Sequence, residues 1–136
     1  MYILEQSITG FPAFIVHLLA AFIMLALFLV IYIRITPYQE IQLIREGNIA
    51  VAISLSGAII GFTVPLAKAV AQSGNLLDML MWGGIALVVQ LLAYVAVRLL
   101  MPRIAKDIPE GKIAQGTCLG VVSLATGMLN AACMTY

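Results

Sequence analysis

The chain has 136 residues, 63% hydrophobic and 10% charged, with a formal net charge of +1. A soluble domain carries nearer a quarter charged residues, and a mean hydropathy of +1.10 leaves no appreciable soluble domain, so composition makes this an integral membrane protein. So small a net charge also argues against a nucleic-acid surface.

Residues 1–11 carry Glu5 and no basic residue. A cleaved signal peptide needs a positive n-region, so the first apolar run is expected to stay in the mature protein. That run, Pro12 to Ile35, is long enough for a helix rising 1.5 Å per residue to cross a bilayer core of about 30 Å. Pro12 suits a first helical turn. Tyr32 and Arg34 sit at the exit as interfacial anchors do, and Thr36-Pro37 ends the helix. Residues 38–46 form a short loop with Glu40, Arg45 and Glu46, whose Ile41, Leu43 and Ile44 suit the membrane surface. The second run, Gly47 to about Val70, carries Gly57-x3-Gly61, a spacing that admits close helix approach. Pro65 predicts a kink, and Lys68 reaches the headgroups by its long stem. Residues 72–78 read as a turn, with Asp78 placed to cap the next helix. The third run, Met79 to Met101, has Trp82 at one interface, Tyr94 and Arg98 near the other, a thin spot at Gly83-Gly84, and Gln90 at mid-bilayer. A basic loop, 102–112, precedes the fourth run, Ile113 to Met134. There Gly116, Gly120, Ser123 and Gly127 draw a stripe of small residues that Asn130 continues.

Two stretches begin alike. Shifting the chain by 64 lays Glu46, Gly47, Ile49, Ala50 and Leu55 on Glu110, Gly111, Ile113, Ala114 and Leu119, and Arg34 on Arg98. Pro37 and Pro102 are out of step by one. The pattern predicts a duplicated helical hairpin, with units at about 1–72 and 73–136. Arg34, Arg45, Arg98, Arg103, Lys106 and Lys112 flank the first and third connections, whereas Lys68 alone lies on the other side. The positive-inside rule puts those connections in the cytoplasm and both termini outside. Two helices per unit makes the units parallel repeats.

The residues that carry this pattern also carry a resemblance. Ile35 to Glu40, Trp82 to Val88, Val97-Arg98-Leu99 with Met101-Pro102, and Asn130 to Thr135 together resemble the YjfL family of small bacterial inner-membrane proteins. The resemblance covers essentially the whole chain. It implies four spans in two hairpin repeats and a gene setting beside genes for membrane-remodelling proteins of the phage-shock type. It implies no known reaction and no catalytic residues.

Candidate residues are few. His17, Lys68, Asp78 and Asn130, with Thr126, lie in the outer half and suggest a polar vestibule, because ionisable groups in a bilayer mark function by default. The plain alternative is that each reaches headgroups or a neighbouring helix. Gln90, far from water, needs a hydrogen-bond partner on another helix or lines a pore. Cys118 and Cys133 lie within one helix at C-x14-C, neither a disulfide nor a metal site, and read as small apolar residues. No phosphate loop, metal cluster or catalytic triad appears, so no cofactor and no enzymatic activity are expected. The fold expected is all-α, four transmembrane helices, with the Gly-rich second and fourth runs central and packed through Gly57, Gly61, Gly116, Gly120 and Gly127. The function expected is an oligomerising scaffold in the bilayer that docks a cytoplasmic partner at 36–47 and 102–112, in envelope stress or membrane remodelling. The alternative is a small oligomeric channel or transporter.

Overall fold

A computed structural model describes residues 2–134 as six helices. They are α1 (Tyr2–Ile35), α2 (Glu40–Arg45), α3 (Ile49–Gln72), α4 (Leu76–Leu100), α5 (Ile104–Asp107) and α6 (Ile113–Cys133). Four of them, α1, α3, α4 and α6, are long and apolar enough to cross a membrane. Two expectations need correcting. Helix α1 does not begin at Pro12 but at Tyr2, and Pro12 lies inside it. Proline there removes one bond to an exposed carbonyl, while the Ser7 and Thr9 hydroxyls back-bond to the carbonyls of Ile3 (2.9 Å), Glu5 and Gln6 (both 3.0 Å). Asp78 does not cap α4. The N-cap is Asn75, whose side chain accepts from the Asp78 backbone N–H at 2.8 Å.

The small-residue runs do form the centre. In α3, 44% of the most apolar stretch is buried, against 11% in α1. Helices α3 and α6 run parallel and pack backbone to backbone. A methyl group added at Gly116 would strike the Ala50 carbonyl, one at Gly57 the Gly120 backbone, and one at Gly127 the Gly61 carbonyl. One at Gly120 would lie 2.8 Å from the Ile53 carbonyl oxygen. The last seam has a specific origin. Pro65 has no N–H, so the Gly61 carbonyl loses its intrahelical donor. That carbonyl faces Gly127, where only the missing side chain leaves it room. Gly83 is also packed, against the tip of Met24, whereas Gly84 faces open space.

The two linkers into α3 and α6 share one geometry. Gly47 (φ +89°) and Gly111 (φ +88°) are 64 residues apart and are the positive-φ glycines among the described residues. Each ends a short helix in a Schellman motif. The Gly47 N–H donates to Ile44 and the Asn48 N–H to Leu43; the Gly111 N–H donates to Ile108 and the Lys112 N–H to Asp107. The chain then enters the next span at Asn48 or Lys112, both extended N-caps. Only the side chains differ. Asn48 accepts from the Val51 N–H (3.1 Å) and donates to the Pro109 carbonyl (2.9 Å), whereas Lys112 pairs with Asp107 (3.2 Å).

Candidate functional site

The polar residues singled out in the sequence are distributed over two levels of the bundle. Lys68 donates to the Ala131 carbonyl at 2.7 Å, so its charge sits on the negative C-terminal end of α6. Asn130 is next to that carbonyl in the chain, half-buried, with its amide nitrogen unpartnered. His17 stands on α1, where its Nδ1–H donates to the Ala13 carbonyl at 2.7 Å, and it lines a groove with Phe14, Ala21 and Val70. Asp78 is half-buried at the start of α4. Gln90 is 2% exposed and donates to the Ser123 carbonyl across the α4–α6 contact at 3.1 Å. The structure therefore joins Lys68 and Asn130 at one end of α3 and α6. It sets Gln90 apart in the interior and His17 apart on α1. Ser54, also buried, donates to the Val51 carbonyl at 3.0 Å.

The densest set of unpartnered polar groups lies at the opposite, basic end, around Glu40. Glu40 opens α2 and is 0% exposed. Neither carboxylate oxygen has a hydrogen-bond partner, nor do the hydroxyls of Tyr32, Tyr38 and Tyr94. These three tyrosines come from α1, the α1–α2 loop and α4, and all lie within electrostatic range of Glu40. The Tyr32 and Tyr94 rings meet edge to face at 5.4 Å. Below them Phe28 stacks on Phe62 at 4.6 Å, closing the pocket from the bilayer side. Burial pushes the Glu40 carboxyl up to about 7. The Thr36 hydroxyl beside the carboxylate works against this, though in the geometry seen it also donates to the Ile33 carbonyl at 2.9 Å. Burial first, then the Glu40 charge, hold the Tyr38 hydroxyl above its ordinary value, so it stays neutral. An open cleft of about 700 Å³ borders Glu40 and Tyr38 and is lined further by Ile33, Thr36, Pro37 and Arg45.

Sequence reasoning missed this site, because Glu40 reads as one more loop charge. The signal was the 64-residue shift itself, which lays Glu40 on Ile104. Among the described residues no group of three His, Cys, Asp or Glu side chains could hold a metal. The cysteines are free and exposed.

Comparisons place the chain. The profile of the Domain of Unknown Function (DUF350) matches residues 6–134. The chain is 40% identical over 136 residues to the UPF0719 inner membrane protein YjfL of Escherichia coli K12, covering all of both chains. It is 32% identical over 114 residues to the UPF0719 transmembrane protein YshE of Bacillus subtilis 168, covering 82% of this chain and 85% of that one. No solved structure matches. With its four apolar helices this is a multi-pass inner-membrane protein, and the chain belongs to the DUF350 family, also designated UPF0719.

Proposed function

We propose that the protein is a non-enzymatic membrane scaffold that assembles with copies of itself and presents its basic end to the cytoplasm. The observation that carries this reading is the closed α3–α6 seam. The two central helices touch through glycine backbones, and Gln90 and Lys68 use their donors on α6 carbonyls within the bundle. A single subunit thus offers no axis for a solute. Helix α1, the least covered span, leaves a face for a second copy: Leu4, Ile8, Phe11 and Ile15 follow helical spacing and are exposed. The basic loops support a cytoplasmic placement of α2 and α5, with both termini outside, and each Lys or Arg there gains about 1 kcal/mol from an anionic leaflet. The recurring 64-residue geometry supports descent from a duplicated hairpin. A role in envelope stress rests on the family resemblance, and the α2 and α5 linkers are the docking surface for its partner.

The mass of the assembly in mild detergent, corrected for bound detergent, tests this. The expected value is a multiple of 14.6 kDa. A strict monomer at every protein concentration removes assembly from the proposal.

A further inference from the structure

Position 40 holds a buried carboxylate, whereas the position 64 residues on holds a buried isoleucine. Glu40 opens α2 and is 0% exposed; Ile104, 64 positions on, opens α5 and is 1% exposed. Each is followed by a short helix ended by the same glycine turn. At the corresponding step of the second linker a hydrocarbon meets the need for packing. A buried carboxylate without a partner is strongly unfavourable, so a structural role does not account for Glu40.

Its surroundings are ligand-like. The two Glu40 oxygens and the hydroxyls of Tyr32, Tyr38 and Tyr94 make five buried oxygens without a hydrogen bond of good geometry, although Thr36, Ser54 and Arg98 stand beside Glu40, Tyr38 and Tyr94 respectively. Thr36 and Ser54 direct their hydroxyl protons to the Ile33 and Val51 carbonyls. The last turn of α1 brings its negative dipole end to the same place, and Pro37 supplies no N–H to it. Arg98 on α4, exposed to solvent, faces Tyr38 and reaches the Tyr94 hydroxyl, where it competes with a cation, and Arg45 lines the cleft. The ion pair given by the described residues is Lys112–Asp107, not one to Glu40.

We propose that Glu40, Tyr32, Tyr38 and Tyr94 form a site for one monovalent alkali cation, Na⁺ or K⁺, taken up from the basic end of the bundle when the Glu40 carboxyl is ionised. Carboxylate and hydroxyl oxygens suit hard cations. One carboxylate balances one positive charge, whereas calcium sites draw on several carboxylates and carbonyls. The proton is the competitor, because burial brings the carboxyl to about 7, so that proton and cation exchange near neutral pH. This inference holds for a monomer and does not rest on the assembly reading above.

The test is thermal unfolding of the full chain in detergent, in choline chloride against NaCl or KCl at constant total chloride, at pH 8 and pH 5.5. An alkali ion is expected to raise Tm at pH 8 by about 4 °C, in a saturable way, and not at pH 5.5. Glu40→Gln abolishes the rise. Arg98→Gln removes a competing positive charge and lowers the midpoint cation concentration about threefold. Tyr94→Phe, which keeps the ring and deletes one oxygen, raises that midpoint by at least about threefold, and serves if Glu40→Gln does not fold. No difference between alkali and choline chloride at pH 8 overturns the proposal. A pH-dependent Tm without cation dependence also overturns it, leaving a proton site only. So does a rise that persists in Glu40→Gln, or that Tyr94→Phe leaves unaltered.

Discussion

Glu40 shows how one residue couples burial to pH. Its carboxyl moves from 4.5 to about 7 on folding, which corresponds to about 3 kcal/mol once both states have ionised. Below pH 4.5 the folded and unfolded chains both hold the proton, and the residue adds no pH-dependent cost. Between 4.5 and 7 the unfolded chain releases it and the folded chain keeps it. Stability therefore falls as pH rises through that window and levels off above 7. Glu40→Gln cannot titrate, so in choline chloride its stability should be flat over the window and exceed the parent's by about 1–3 kcal/mol at pH 8. Thermal unfolding in choline chloride at several pH values checks this, and equal slopes for the two proteins would show that the carboxyl is solvated. Gln90 is the contrasting case. A polar group at mid-bilayer must find a donor or acceptor on a neighbour, and that need was readable from the sequence. The Ser123 carbonyl as its partner was not, because nothing in the sequence states how α4 rotates against α6.

Among the elements, α3 and α6 were the most legible. Glycines at spacings of four and three draw one face, and the helices meet on that face. The Gly83-Gly84 pair was legible as a thin spot, but not which member points inward: Gly83 packs on Met24 and Gly84 faces open space. This gives a paired prediction. Gly127→Ala drives a methyl into the Gly61 carbonyl and should destabilise the bundle by about 1–3 kcal/mol. Gly84→Ala meets nothing within 4 Å and should be neutral or stabilise α4 by about 0.5–1 kcal/mol. Equal costs for the two in an SDS titration would refute the seam. Gly116→Leu and Gly120→Leu place a larger branched side chain on the same contact, and loss of expression or assembly is the outcome to look for. The start of α1 was misread for a different reason. Proline is favoured in a first turn, yet an interior proline loses only one bond, and residues 2–11 otherwise continue the helix.

Across the whole molecule, the number of candidate spans was legible from apolar run lengths, because four runs match the bilayer and the described residues hold four helices long and apolar enough to cross it. The Glu40 pocket was not, because it gathers Tyr32, Tyr38 and Tyr94 from α1, a loop and α4, and only tertiary packing brings these together. The remaining question at this scale is whether water threads the assembled protein. Single cysteines at 54, 56, 90 and 130, with Cys118 and Cys133 replaced, distinguish a scaffold from a channel when a membrane-impermeant maleimide is added to vesicles. The structure buries Ser54 and Gln90, exposes Ser56 on the outer surface of α3 and leaves Asn130 half-buried. A maleimide reacts with a thiolate, which needs water. A scaffold surrounded by lipid should therefore leave 54, 56 and 90 unlabelled, with reaction confined to 130 near the outer interface. Labelling at 54 and 90 would put water between α3, α4 and α6, where the glycine seam leaves no room in one subunit. The closed bundle would then have to open on assembly, and the channel reading would replace the scaffold.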